Sequence, residues 1–406
     1  MLFGKDSFRK KNIGKYIIGY ELAKDYVQIS YLRVGDKEPE TLSTVAGQEQ
    51  YNIPFVMYKQ EDKNLWYIGK EAVAKQQEMG GTLLTRLLEN ACMQDMTEVQ
   101  LETYASHALL ALFVKRSLAY LSMIAPIHKI AAIMFTVDNP DQKTVEVLRQ
   151  MVEYLQLPQI QMMFMGKEES FFYYNLHTDP SLWSNQVYLY EIQENHLKSY
   201  QLSLNRQTKP VVTLIERKEY KEFPVFESGT RTEQEKAFMD QIFLECVMGD
   251  MESKIVSTVY LIGDGFLGEW YKRTVRYLCP KRRVFLGNNL YSKGACYAGF
   301  VRIHNEHWKW IYMGENEVKF NLSLKVRDRG SLAFHTLISA GKNWFETTGE
   351  CEVILAGNAE IDFWKQLPNS REAVIETLEL TDLPNRPDRT TRLRITATPV
   401  SDEKIE

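Results

Sequence analysis

The stretch that decides the fold is GKYIIGYELAKDYVQISYLRV, residues 14–34. Apolar residues at 16–18 predict a strand that leads into Gly19, and alternating apolar residues at 27–31 predict a second strand. The segment between them, 21–25, is predicted to form an acidic turn, and it lacks the glycines that let backbone amides close on a phosphate. The stretch therefore predicts a β-hairpin and raises the question of whether its turn binds phosphate.

A second stretch repeats this pattern later in the chain. VYLYEIQENHLKSYQLSL, residues 187–204, is predicted to be strand, acidic turn and strand, with Glu191 at the place that Glu21 has in the first hairpin. Each hairpin is followed by a strand that leads into a helix, at 129–155 and at 257–278. The continuous apolar run at the start of 129–155 is typical of a central strand buried on both faces.

These repeats predict the fold class and the domains. We expect a duplicated α/β fold whose two lobes, about 1–180 and 185–308, face each other across a cleft lined by both hairpin turns. After residue 308 the sequence changes to short runs rich in β-branched and aromatic residues between turn clusters, which predicts a β-sandwich over 309–406. The last run ends close to Glu406, so we expect the natural protein to continue beyond it.

Two helix starts are predicted from capping residues. Thr97 followed by Gln100 has the spacing of a capping box, and the helix is expected to reach Leu121. Asn139 is expected to cap the next helix, because Pro140 suits the first helical position.

Composition limits the classes of partner. The chain has 406 residues, a formal net charge of -4 and five cysteines without CxxC spacing. This charge gives no general attraction to nucleic acid or acidic membranes, and no apolar stretch is long enough for a membrane span. Scattered cysteines fit buried thiols in a reducing cytoplasm better than disulfides or a zinc site.

Segments along most of the chain resemble the actin and DnaK-type heat-shock chaperone ATPase superfamily, with the chaperone branch nearer because of the β-rich end. That family's first hairpin, Gly-Ile-Asp-Leu-Gly-Thr-Thr, matches residues 19–25, and its second, Asp-Leu-Gly-Gly-Gly-Thr, matches 191–196. The chain also resembles an uncharacterised clostridial-type family, which adds no function. Other similar segments are YIGKEAVAKQ (67–76), FTVDNPDQKTVEVLRQMVEYLQL (135–157), MGKEESFFYY (165–174), YLIGDGFLGEWYKRTVRYL (260–278), LYSKGACYAGFV (290–301) and ETLELTDLPNRPDRTTRLRITATPV (376–400).

The resemblance implies an ATP site with Mg²⁺, but the residues depart from it. Glu21 and Glu191 stand where the family has two metal-binding aspartates, and the extra methylene shifts each carboxylate by about 1.5 Å, which octahedral Mg²⁺ tolerates poorly. Ala23 and side chains at 193–195 replace the glycines of the turns. The carboxylates at the two turns are expected to repel a triphosphate. We therefore expect no bound nucleotide, with ATP or ADP and Mg²⁺ as the alternative.

Several residues keep a second interpretation. Glu21 and Glu191 form either a shifted metal site or two solvated turn carboxylates, and Glu168 is either a water-polarising base or a helix-start carboxylate. If a nucleotide binds, the matching residues are Gly19, Lys24, Gly263 and Gly265. Lys24 is also a candidate for an internal cation that replaces Mg²⁺ near Glu191.

Other motifs give weaker signals. His304 and His307, with a glutamate between them, have the spacing of metal ligands but are more typical of a solvated turn. SFFYY, residues 170–174, is either an exposed aromatic patch or, by default, the core side of a helix. No acidic-apolar linker of the chaperone kind is visible near 310–325. These observations predict a non-catalytic, cytoplasmic protein-binding or scaffold module. The alternative is an ATP-binding, chaperone-like protein with an altered site.

Overall fold

A computed structural model gives the fold, which is a mixed α/β structure with several sheets and, in the described residues, eight α-helices. The chain divides into two compact units. The larger contains the described residues of Ile13–Ser203 and Ile215–Trp308, and the smaller contains those of Leu204–Leu214 and Lys309–Glu406. The structure describes residues 15–45, 47–60, 65–193, 196–208, 210–224, 226, 231–287, 289–304, 308–328, 330–368, 370 and 372–406.

The elements before residue 305 alternate between strands and helices. The strands are β1 (Tyr16–Leu22), β2 (Tyr26–Arg33), β3 (Glu40–Thr41), β4 (Ile53–Pro54), β5 (Met57–Gln60), β6 (Leu65–Ile68), β7 (Met96–Val99), β8 (Glu102–Ala105), β9 (Ile130–Val137), β10 (Gln161–Gly166), β11 (Gln186–Gln193), β12 (His196–Asn205), β13 (Val211–Tyr220), β14 (Val256–Ile262) and β15 (Arg283–Leu286). The helices are α1 (Gly69–Met79), α2 (Leu87–Met93), α3 (Ser106–Leu118), α4 (Gln142–Leu155), α5 (Lys167–His177), α6 (Glu233–Asp250), α7 (Lys272–Leu278) and α8 (Leu290–His304).

The first sheet of the larger unit has the order β10, β9, β1, β2, β3. β9 runs parallel to both β10 and β1, while β1 and β2 form the antiparallel hairpin predicted from residues 14–34. All but one of the residues of β9 are buried, and β9 has a strand on each side. The prediction of a buried central strand at 129–137 is therefore confirmed.

The second sheet repeats this arrangement with β15, β14, β11, β12 and β13 in that order. β14 is parallel to β15 and β11, and β11 is antiparallel to β12. The parallel register shifts after the first residue of β1 and, in the same way, after the first residue of β11. Glu21 and Glu191 consequently hold matching positions, each close to the carboxyl end of a central strand.

Helices α5 and α8 belong to the core of the larger unit. Phe171 and Phe172 of α5 are almost completely buried, and most of α8 is buried as well. Residues 170–174 lie in α5, so the default interpretation of SFFYY as the core side of a helix is confirmed.

Both capping predictions are wrong. Thr97 lies in β7, because Gln100 and Leu101 adopt left-handed φ angles of 51° and 66° that turn the chain back into β8. The helix that follows is α3, which begins at Ser106. Asp141, rather than Asn139, caps α4, since its carboxylate accepts a hydrogen bond of 2.8 Å from the amide of Thr144.

The smaller unit is built from strands. They are β16 (Trp310–Tyr312), β17 (Asn321–Asp328), β18 (Ser331–Ile338), β19 (Gly349–Ile354), β20 (Glu360–Gln366), β21 (Ala373–Glu379) and β22 (Arg392–Ala397). One sheet has the order β18, β17, β20, β21, and β19 pairs with β22 in another. Leu322, Leu324 and Cys351 belong to the core of this unit. The β-rich character of 309–406 is confirmed, and β20 is a strand that the sequence patterns did not identify.

Among the described residues, the helices are each too short or too polar to cross a membrane.

Candidate functional site

The ammonium group of Lys167 is the centre of a buried polar cluster in the larger unit. It donates to Oε1 of Glu191 at 3.0 Å and to Oε1 of Gln193 at 3.1 Å. An oxygen of Asp138 lies 3.7 Å from the same nitrogen. Only 5% of the Lys167 side chain is exposed, so the carboxylates compensate a charge that water cannot solvate.

Strand ends bring these residues together. Asp138 directly follows β9, Lys167 directly follows β10, and β9 and β10 are parallel, so both residues leave the first sheet at the same edge. Glu191 reaches them from β11 of the second sheet. Lys167 is also the first residue of α5, where the helix dipole disfavours a positive charge. The nearby carboxylates offset that unfavourable position.

Glu191 is held by hydroxyl donors as well as by the ammonium group. Its Oε2 accepts from the hydroxyl of Tyr200 at 3.2 Å and from the hydroxyl of Tyr291 at 3.3 Å. Burial raises the pKa of both tyrosines well above the ordinary value, so they remain donors. With 3% of its surface exposed, Glu191 lies in a strand instead of in a solvated turn.

Glu21 is buried beside this group. It has no exposed surface, and the hydroxyl of Tyr26 donates to its Oε1 at 3.4 Å. Its Oε2 has no hydrogen-bond partner in the described part of the chain. Burial raises the pKa of Glu21 to about 7, which the positive charge of Lys167 opposes and the negative charge of Glu191 reinforces. The expectation of two solvated turn carboxylates is therefore wrong, because the first turn begins only at Ala23.

The remaining charges of the cluster compensate one another. Burial acts to lower the pKa of Lys167, but the carboxylates of Glu191, Asp138 and Glu21 raise it above its usual value. Asp138 is only partly buried, with 52% of its side chain exposed. Its partial burial acts to raise its pKa, but Lys167 and Lys198 bring it below the ordinary value. Lys198 lies 3.7 Å from Asp138. Lys167 and Asp138 are thus charged at neutral pH, and Glu21 titrates near it.

A cleft of about 460 Å³ adjoins the cluster. Its cationic lining residues are Lys24, Arg86, Lys167 and Lys198, against the carboxylates of Glu89 and Asp138. Glu21 and Glu191 are not among the lining residues. The lining is therefore more basic than the sequence predicted, because Glu21 and Glu191, counted there as turn residues, are buried behind it.

Two other charged residues that the sequence analysis named, Lys24 and Glu168, lie in different elements. Lys24 is exposed on the first turn and lines the cleft, while the cation beside Glu191 is Lys167. Glu168 lies in the first turn of α5.

The predicted glycines make close contacts with protein. A Cβ atom on Gly19 would lie 1.9 Å from the carbonyl oxygen of Ser292 in α8. Gly263, at a φ of 96°, and Gly265 both pack against Ile192, where an added Cβ would lie 2.2 Å and 1.9 Å from the nearest atom. These glycines allow close packing between elements of this unit.

Of the two histidines that have the spacing of metal ligands, the structure describes only His304. His304 is the last residue of α8, while Glu306 and His307 lie outside the described residues, as do Glu194 and Asn195. In the part of the chain that the structure describes, no group of three or more His, Cys, Asp or Glu side chains could hold a metal ion.

Sequence patterns did not identify Lys167, Asp138, Tyr200 and Tyr291 as site residues. One signal was available for Lys167. A lysine at the first position of a helix that follows a buried strand contradicts the preference of helix N-termini for anions, and therefore indicates a nearby carboxylate. The tyrosines carry no such signal, because their hydroxyls meet Glu191 only in the folded chain.

Comparisons with known proteins place this site within a family. The C-terminal model of DUF5716, a family of unknown function, matches residues 38–315. The model of DUF8552, a domain of unknown function, matches residues 317–406. No curated protein matches the chain. Because the first match spans more than half of the sequence, the chain belongs to the DUF5716 family.

Proposed function

We propose that the chain is a non-catalytic, cytoplasmic relative of the actin and DnaK-type ATPases that acts as a protein-binding or scaffold module. The observation that carries this proposal is the buried ion pair between Lys167 and Glu191, with 3.0 Å between nitrogen and oxygen. Under the resemblance, Glu191 matches an aspartate that holds Mg²⁺. In this chain a lysine supplies the positive charge at that carboxylate.

The residues present do not fit a Mg²⁺–nucleotide complex. A divalent cation beside Glu191 would lie close to the ammonium of Lys167, and like charges at such distances repel strongly in a buried site. Gly19 matches the start of the first phosphate hairpin. The space beside its Cα is occupied by α8, so this residue does not face a cleft. Both arguments favour a site in which protein groups replace the metal.

Two further observations support the proposal. The equal strand order and direction of the two larger sheets favour a duplicated, actin-like fold. The strands and separate core of the smaller unit favour a sandwich of the kind found in chaperones. Exposed apolar side chains on this unit, among them Leu332 and Phe334, favour a protein or peptide partner.

The basic lining of the cleft favours a second candidate function. Lys24, Arg86 and Lys198 could bind a phosphate-bearing ligand, such as ATP or ADP, without a metal ion. The protein would then be a nucleotide-binding, chaperone-like protein with an altered site. Binding that does not require Mg²⁺ distinguishes this candidate from an ordinary member of the superfamily.

Hydrolysis of ATP tests the main proposal. Wild-type protein and the variant Glu191→Gln are purified in parallel and assayed for phosphate release with Mg²⁺. We expect both to equal the buffer background. Turnover that follows the amount of wild-type protein through purification and is lost in Glu191→Gln would overturn the proposal.

A further inference from the structure

β21 is an edge strand of the four-stranded sheet in the smaller unit. It pairs with β20 over its whole length, from Ala373 opposite Gln366 to Glu379 opposite Glu360, without a register shift. In the described residues no strand pairs with its other side. A regular edge strand of this length presents unpaired backbone groups to any extended chain.

The side chains of β21 are exposed on both faces. Val374 is 63% exposed, Ile375 is 47% exposed and Leu378 is 52% exposed. Leu378 is opposite Ile361, which packs against the core, so Val374 and Leu378 share the core side of the sheet. Ile375 lies on the other side. The hydrophobic core of this unit therefore does not extend as far as the edge strand β21.

This edge has only part of the usual protection against pairing. Natural edge strands carry charged residues, above all lysine, or proline or a bulge. The charge that β21 has on its core side is Glu376, which lies opposite Phe363, and the amine of Lys365 is near it. Residues 373–379, AVIETLE, contain neither lysine nor proline. The opposite edge strand, β18, does have a register irregularity where it pairs with β17, between Leu322 and Ser323.

We propose that β21 pairs antiparallel with β21 of a second copy of this chain, around a twofold axis at Glu376. In this register Val374 lies opposite Leu378 of the other copy, and this apolar pair occurs twice because of the symmetry. Ile375 lies opposite Thr377 on the other face. The two four-stranded sheets join into one continuous sheet.

The register follows from the sequence of the strand. A shift of one residue places the core side of one sheet beside the outer side of the other. A shift of two residues in one direction places Ile375 opposite itself, but it places Val374 opposite Glu376 twice. A shift of two in the other direction places Leu378 opposite Glu376 twice. Pairing about Glu376 is thus the register in which Val374 and Leu378 both meet an apolar residue.

Charges are balanced at the axis. The two copies of Glu376 meet there, which alone would be unfavourable. The amine of Lys365 lies 4.0 Å from Glu376 within each copy, so two lysines accompany the two carboxylates. This pairing does not rest on the proposed function of the larger unit.

Cysteine crosslinking tests the register in the full chain. With the exposed Cys279 replaced by serine, Glu376→Cys is expected to form disulfide-linked dimers under mild oxidation, because opposed residues lie about 5 Å apart. Val374→Cys alone is expected to crosslink poorly, because its counterpart is four residues, about 13 Å, further along. A mixture of Val374→Cys and Leu378→Cys chains is expected to give the mixed dimer. Equal crosslinking of Glu376→Cys and Val374→Cys would overturn the proposal.

Sedimentation velocity tests the association itself. The wild type is expected to form dimers as its concentration rises to about 100 μM. Val374→Lys is expected to weaken dimerisation at least about tenfold. Leu332→Lys on the opposite edge, where the side chain is 62% exposed, is the matched control and is expected to dimerise like the wild type. A wild type that stays monomeric, or a Val374→Lys variant that dimerises equally well, would overturn the proposal.

Discussion

The ammonium nitrogen of Lys167 lies 3.0 Å from Oε1 of Glu191, and both side chains are almost fully buried. One residue starts a helix after the first sheet and the other lies near the end of a central strand of the second. Their ion pair therefore joins the two sheets of the larger unit, at the position that the proposed resemblance to ATPases would assign to Mg²⁺.

Replacing Lys167 by methionine is predicted to destabilise the protein strongly. The change leaves Glu191 buried without its cation, which costs about 3–5 kcal/mol in comparable cases. Lys198→Met is the matched control, because its partner Asp138 lies 3.7 Å away and is 52% exposed, so water can solvate the carboxylate that is left. Its loss is expected to cost less than about 1 kcal/mol. Urea unfolding of both variants measures the difference, and equal losses would contradict a central role for Lys167.

Glu21 is predicted to make stability depend on pH. Burial raises its pKa to about 7, so the folded protein retains a proton that the unfolded chain releases above about pH 4.3. The contribution to stability is complete below that pH and is lost as the pH rises towards 7. It amounts to at most about 4 kcal/mol.

The variant Glu21→Gln isolates this effect. Glutamine stays neutral beside Lys167 and Glu191, so its stability relative to the wild type is expected to increase from about pH 5 to about pH 8. Urea unfolding of both proteins at several pH values gives this difference. A difference that is constant over the whole range would show that Glu21 does not titrate there.

Gly19→Ala is predicted to destabilise the larger unit by at least about 2 kcal/mol. The new Cβ would meet the Ser292 carbonyl oxygen at 1.9 Å and the Cys296 amide nitrogen at 2.8 Å, and both are backbone atoms. Gly249→Ala is the matched control, because the Cβ there meets nothing within 4 Å and the residue is in α6. That control is expected to be neutral or slightly stabilising. Similar unfolding midpoints for the two variants would contradict the packing argument.

Elements with a strong local pattern were predicted correctly. β9 is a long apolar run and α4 repeats apolar residues at helical spacing, so burial follows from the residues themselves. The β7–β8 hairpin was missed because its turn places Gln100 and Leu101 at positive φ without a glycine. A pattern of residue types gives no sign of that conformation.

The candidate site was predicted only in part. The matching positions of Glu21 and Glu191 follow from the repeat, but their burial depends on segments far away in the sequence. Tyr291 reaches Glu191 from α8, and Lys167 reaches it from α5. Lys24 was the predicted internal cation, whereas the cation that the fold brings to Glu191 is Lys167.

The most direct test of the central claim is a thermal-shift titration of the wild type with ATP and with ADP, each with and without Mg²⁺. A ligand at 100 times its dissociation constant adds about 2.7 kcal/mol and raises the midpoint by several degrees. We predict no shift that requires Mg²⁺, because Lys167 already supplies the cation at Glu191. A shift without Mg²⁺ would favour the second candidate function. A rise of several degrees only when Mg²⁺ accompanies the nucleotide would contradict the account.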